Sequence, residues 1–143
     1  MAWTYRLGTA RRAFNAVASK AIGLGLAPPA SYILETRGRR SGELRSTPVS
    51  IVRHDGARWL VAPYGIVGWV HNARAAGRVT LRRGRNSEEH GIREASPSEA
   101  APVLRKYLRL YPVVAPFFDA GFRDPLETFE DQASKHPVFR VDG

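Results

Sequence analysis

The 143-residue sequence contains no cysteine and a single methionine, so it uses neither disulfide bonds nor thiolate chemistry. It lacks any run near the roughly 20 apolar residues that span a bilayer. The long apolar core and small-residue cleavage site of a secretory signal are missing near the N-terminus, and a cytoplasmic protein is expected. Lysine is scarce, at three (Lys20, Lys106, Lys135) of 22 basic residues, and so are acids in the first part of the chain. Residues 1–85 carry 15 Lys and Arg against 3 acids, a balance of +12, whereas residues 86–143 carry 7 against 10. A first half so charged faces either an anionic partner (nucleic acid, anionic lipid or a phosphorylated cofactor) or water, with unusual self-repulsion. With 43% apolar and 24% charged residues, one globular domain over residues 1–143 is expected.

Patterning supplies the elements. Thr9 to Gly23 reads as a helix, because Ala10, Phe14, Val17, Ala18 and Ala21 fall at three- and four-residue spacing. Its opposite, basic face suits peripheral contact with a membrane, although packing against a sheet is the expected role. Ser31 to Thr36, Thr47 to Arg53 and Arg58 to Pro63 read as strands, the last two joined by His54-Asp55-Gly56-Ala57, a strong hairpin signal. Arg78 to Arg83 alternates, with Val79 and Leu81 on one face. A turn at Gly84 to Asn86 leads to a weaker strand through Ile92, and Val138 to Val141 closes the chain. Ser96-Pro97-Ser98-Glu99 is a capping box with proline at the first helical position. The helix it opens has Leu104, Tyr107, Leu108 and Tyr111 as its inner stripe and stops at Pro112. Further helical segments are expected over Val113 to Ala120 and from Asp124-Pro125-Leu126-Glu127, where similar capping chemistry is predicted. Short strands joined by hairpins, with helices that do not alternate with them, indicate a small antiparallel barrel of the α+β class.

Familiar catalytic patterns are missing. The four histidines (His54, His71, His90, His136) are far apart and lack metal-ligand spacing, so no metal is expected. Nucleophile elbow, Walker loop and dinucleotide fingerprint are all absent. Two segments stand out instead. The first is Gly38-Arg39-Arg40-Ser41-Gly42-Glu43-Leu44-Arg45-Ser46-Thr47-Pro48. Its glycines allow backbone N–H groups to converge on an anion, while three arginines and the hydroxyls of Ser41, Ser46 and Thr47 add donors. The second is Ala62-Pro63-Tyr64-Gly65-Ile66-Val67-Gly68-Trp69-Val70-His71-Asn72-Ala73-Arg74, which leaves a strand through two glycines and sets Trp69 and Asn72 three apart, as on a first helical turn. Gly65 and Gly68 would let a flat ring approach the backbone.

The order of these motifs, an arginine turn, a hairpin, a glycine loop with Trp-x-x-Asn and then a basic strand, resembles the deazaflavin (coenzyme F420)-dependent nitroreductase family. The likeness is strong from about Ser31 to Leu81 and looser through Leu110-Tyr111-Pro112 onward. It implies a small split antiparallel β-barrel with an N-terminal helix and further helices inserted before the last strand. It also implies an oxidoreductase that passes a hydride from reduced coenzyme F420 to a small hydrophobic acceptor (a quinone, an enone or a nitro compound). Carried over by resemblance, Arg39, Arg40, Ser41 and Arg45 clamp the cofactor's phosphate and acidic tail. Ser46 belongs to the same cofactor site, and Thr47, Pro48, Val49 and Ser50 run along the ring through backbone groups. Val61, Ala62, Pro63 and Tyr64, with Gly68, Trp69, Val70, His71 and Asn72, form the opposite wall. Tyr111 is the catalytic candidate, while Val114 and Phe117 stand where the resemblance leads one to expect tyrosines, which implies a more apolar acceptor pocket. A hydride-donating cofactor also accounts for the missing acid–base pair.

Other readings are a split barrel using flavin mononucleotide, a cofactor carrier without turnover, and a basic nucleic-acid-binding module built on the arginines leading up to Arg85. The last is disfavoured, since the chain shows neither a helix-turn-helix nor an aromatic stacking motif. A small acceptor and no nucleic acid are the expected partners.

Overall fold

The computed structural model describes residues 31–121 and 123–142, the side chain of Val113 excepted. The helix expected over Thr9 to Gly23, and with it any membrane contact, lies outside the described residues.

Asp55 and Gly56 take φ values of 53° and 74°, the paired left-handed geometry of the two-residue hairpin that Asp-Gly favours. They join β2 (Leu44–His54) to β3 (Ala57–Val61). With β1 (Ser31–Arg37), β4 (Arg78–Arg83), β5 (Asn86–Glu94) and β6 (Val138–Val141), six antiparallel strands close a barrel in the order β1-β2-β3-β6-β5-β4. β2 is longer than the sequence suggests because it serves two neighbours in turn. Its first part, Leu44 to Ser50, pairs with β1, and its last part, Ile51 to His54, pairs with β3. β5 does the same between β4 and β6. The barrel is therefore split along these two strands, and among the described residues the edge of β2 facing away from β1 has no strand beside it over residues 44–50.

Strand alternation separates two cores. Leu34, Ile51, Leu60, Val79, Leu81, Phe139 and Val141 fill the barrel, and α1 (Gly68–Ala76) plugs it with Val70 and Ala73. On the outer face, Val52, Trp59, Val61 and Val138 pack under α2 (Pro97–Leu110), a 3-10 helix over Pro112–Phe117, and α3 (Leu126–Gln132). The expected capping box opens α2: Ser96 Oγ accepts the Glu99 N–H at 3.3 Å, and Glu99 Oε1 accepts the Ser96 N–H at 3.1 Å. The cap expected before α3 is not made. Pro125 occupies the N-cap position, and the Asp124 carboxylate turns back to accept the Gly121 N–H at 2.8 Å.

Candidate functional site

The arginine turn is rigidly built. Gly42 donates to the Gly38 carbonyl at 2.8 Å and Gly38 to the Glu43 carbonyl at 2.7 Å. Gly42 has φ +71°, a conformation that costs a residue with a Cβ about 1 kcal/mol or more. Arg39, Arg40, Ser41, Arg45 and Ser46 are all exposed along this turn and the start of β2. Ser41 Oγ accepts the Glu43 N–H at 3.2 Å, so its hydroxyl hydrogen remains available for an anion.

One side chain ties the two conspicuous segments together. Asn72, buried on α1, accepts from both the Arg39 backbone N–H at 3.2 Å and the Arg39 guanidinium at 3.1 Å. Its Nδ2 donates to Thr36 Oγ1 at 3.4 Å, on β1. Asn72 is thus a brace beneath the turn, not an open surface of the wall. Arg45 lies opposite Thr36 in the β1–β2 register, and antiparallel partners present side chains to the same face. Arg45 therefore shares a face with Thr36, next to the residues that fix Arg39. Alternation carries this face along β2 through Thr47 and Val49 to the buried Ile51, while Ser46, Pro48 and Ser50 point the other way. Those three side chains lie on the opposite face of β2.

The second segment behaves unevenly. Val61, Ala62 and Val70 are 2%, 0% and 0% exposed, so their side chains belong to the cores and cannot face a ligand. Pro63, Tyr64 and Trp69 are half-buried, and Gly68 and His71 are exposed. Trp69 leans on Phe139 with ring centroids 5.8 Å apart. A Cβ placed on Gly68 would meet nothing within 4 Å, which leaves the first turn of α1 open to a flat group. Val67 stands at the N-cap, where its side chain offers no acceptor, so that turn's N–H groups favour an anion.

Tyr64 continues into an aromatic cluster on the helical side. Its ring meets Phe117 edge-on at 5.0 Å, and Tyr107 meets Tyr111 at 4.8 Å. Tyr107 is 5% exposed, and burial together with the nearby Tyr64 and Tyr111 phenols pushes its pKa well above the usual tyrosine value. Tyr111 caps the C-terminus of α2 and is only half-buried. Val114 and Phe117 are 4% and 7% exposed within the outer core, so the more apolar acceptor pocket expected from them is not what they build. The structure thus forms two groups, arginine turn with Asn72 and tyrosines with Phe117, linked by the short segment Tyr64 to Gly68.

His136 was unremarkable in the sequence. It is 3% exposed, stacked on Phe118 at 4.0 Å, with Nδ1 3.0 Å from the Ala62 carbonyl oxygen. Burial pushes its pKa below the ordinary histidine value, partly opposed by hydrogen bonding to the backbone of Ala62 and Phe117. A lowered histidine pKa means that the unfolded chain binds the proton more readily, so stability is complete above about pH 6.5 and declines as pH falls below it. Melting temperature should therefore drop on acidification below that point, with a shallower slope in His136→Asn.

Of the arginines that suggested nucleic acid, Arg82 and Arg83 are engaged within the fold, as is the neighbouring Arg78, while Arg85 is exposed. Arg78 pairs with Glu89 at 2.6 Å, Arg82 with Glu35 at 3.3 Å, and Arg83 donates to the Ser31 carbonyl at 2.8 Å.

A barrel split along two long strands, with an arginine turn braced against the helix that plugs it, defines the class of split-barrel proteins. Residues 6–115 match the model of the F420H(2)-dependent quinone reductase family, and the chain belongs to that family. It is accordingly an oxidoreductase that uses coenzyme F420 and reduces a small acceptor.

Solved structures agree on the fold. An F420-H2 dependent reductase (FDR-A) is 22% identical with a TM-score of 0.55, over 80% of this chain and 95% of that chain. A second, described as a domain-swapped dimer, is 20% identical with a TM-score of 0.58, over 93% and 96%. HutZ, a heme storage protein from Vibrio cholerae, is 8% identical with a TM-score of 0.55, over 79% and 80%. No described helix is long and apolar enough to cross a membrane.

The donor set fits the cofactor. Three exposed arginines with only Glu43 among them suit a phosphate and an acidic tail, and Gly68 leaves the first turn of α1 without a side chain. Asn72→Ala tests the brace. It strands the Arg39 N–H and Thr36 hydroxyl, and should cost about 1–3 kcal/mol of stability as well as weakening F420 binding, both readable by thermal melting and titration.

Proposed function

We propose that the cofactor lies along the split of the barrel, between the open edge of β2 and the segment Pro63 to Trp69, with its acidic tail on the arginine turn. The observation that carries this reading is the pair of hydrogen bonds from Arg39 to Asn72 at 3.2 and 3.1 Å, which sets the turn against α1 before any ligand arrives. Arg39, Arg40 and Arg45 supply charged forks, and Ser41 a hydroxyl donor. Backbone groups of Thr47 to Ser50 on one side, and of Gly65 to Trp69 on the other, position the ring.

Reduced F420, when bound, supplies the hydride, so the protein's own task is to hold ring and acceptor in register and to exclude water. The half-buried Tyr111 is the nearest candidate to the acceptor. Its phenol donates a hydrogen bond or proton to the oxygen on which negative charge appears as the acceptor is reduced. Quinones and enones place that oxygen on a flat, largely apolar body, which suits the half-buried aromatic rings of Tyr64 and Tyr111; nitro compounds are the third class. A cytoplasmic enzyme with no nucleic-acid partner completes the reading.

Side-by-side titration with F420 and flavin mononucleotide is the test. F420 should bind with micromolar affinity or better, about −8 kcal/mol, and the flavin far more weakly because it cannot reach the whole arginine turn. Preference for the flavin would overturn the placement of the tail.

A further inference from the structure

Resting on the placement of the ring against Pro63 to Trp69, we propose that His136 is a positioning residue for that wall, acting through the Ala62 carbonyl. The segment that leaves β3 is clasped from behind by three consecutive residues. The Ala62 N–H donates to the Pro137 carbonyl at 3.0 Å, and the Ala62 carbonyl lies 3.0 Å from His136 Nδ1. Both hydrogen-bonding groups of Ala62 are therefore fixed by one stretch of chain. Gly65 backs onto the same stretch, where a Cβ would stand 3.5 Å from the Lys135 carbonyl oxygen. The wall lacks a strand of its own over these residues, and its position is inherited from residues 135–137.

His136 is in turn immobilised. Its N–H and that of Lys135 both donate to the Gln132 carbonyl, at 2.9 and 3.0 Å. The buried Gln132 side chain accepts the Asp119 N–H at 3.0 Å, and Lys135 pairs with Asp119 at 2.9 Å. The Phe118 ring covers the imidazole face at 4.0 Å with an interplanar angle of 15°. α3, the end of the 3-10 segment and the wall thus converge on one imidazole, which transmits the position of the helical side to Ala62-Pro63-Tyr64. The ring touches neither cofactor nor acceptor; it sets where the wall stands.

Three substitutions separate the donor from the packing. Asn places its amide N–H₂ where Nδ1 stands, Gln places it at the Nε2 position, and Phe keeps only the stacking surface. His136→Asn should bind F420 within about three-fold of wild type, whereas His136→Gln and His136→Phe should bind roughly ten-fold more weakly, the loss expected when an ordered donor is removed. Amide exchange at Tyr64 to Val67 should quicken in the Gln and Phe variants only. Equal losses in all three, or wild-type affinity in a folded His136→Phe protein, would overturn the proposal. Should the Phe variant fail to fold, the Asn and Gln pair decides on the same terms. The underlying placement is checked on the wild type alone: if F420 does not slow exchange at Gly65 to Trp69, that reading fails before any variant is made, and the proposal falls with it.

Discussion

Arg45→Ala should weaken F420 binding by about ten- to a hundred-fold, the value of one charge-assisted fork of roughly 1.5–3 kcal/mol. Arg45 is 63% exposed, and its ion pair with the 70% exposed Glu43 spans 3.5 Å. A surface pair of this kind is worth little, so the guanidinium turns to a phosphate at almost no cost. It also stands on the same face as Thr36, beside the Asn72 brace, within the arginine turn's own setting. The fold should be indifferent to the change, with melting temperature nearly constant. Raising ionic strength should narrow the gap between variant and wild type, because an exposed contact is screened. Unchanged affinity in the folded variant would make the turn an ordinary solvated loop.

Tyr111→Phe should slow turnover by about ten-fold or more while leaving F420 affinity alone, as expected for one hydrogen bond made chiefly in the transition state. The phenyl ring preserves the 4.8 Å contact with Tyr107, so packing is retained. Tyr107 is the natural contrast. Its ring is buried and its phenol is kept protonated by burial, so Tyr107→Phe should register mainly in melting temperature. A Tyr111→Phe protein with full turnover and lowered stability would make Tyr111 structural as well.

Much of the fold was legible because the signals are local. Asp55-Gly56 dictates its hairpin, Ser96 to Glu99 its helix start, and Val79 with Leu81 an inward face, each decided within a few residues. What escaped depends on contacts distant in sequence. The role of Asn72 rests on Arg39, 33 positions away, and on Thr36, 36 positions away. His136 reaches back 74 positions to Ala62, and a lone histidine carries no spacing that would announce it. The span of β2 exceeds its apolar pattern because, among the described residues, its first half has a strand on one side only, so polar Arg45, Ser46 and Thr47 are tolerated there. The cap expected from Asp124 failed for the opposite reason: a strong local motif lost to Gly121, whose N–H the carboxylate took instead. Val114 and Phe117 were placed in the acceptor pocket by resemblance, and burial in the outer core decided against it.

The central claim is that the split in the barrel, braced by Asn72, holds the cofactor. Backbone amide exchange of the wild-type protein, measured with and without saturating F420, tests it most directly. Protection is expected over Gly38 to Ser50 and Gly65 to Trp69, with the β4–β5 turn at Gly84 to Asn86 unchanged. Protection confined to the β4–β5 turn, with Gly38 to Ser50 and Gly65 to Trp69 exchanging as freely as before, would contradict the account.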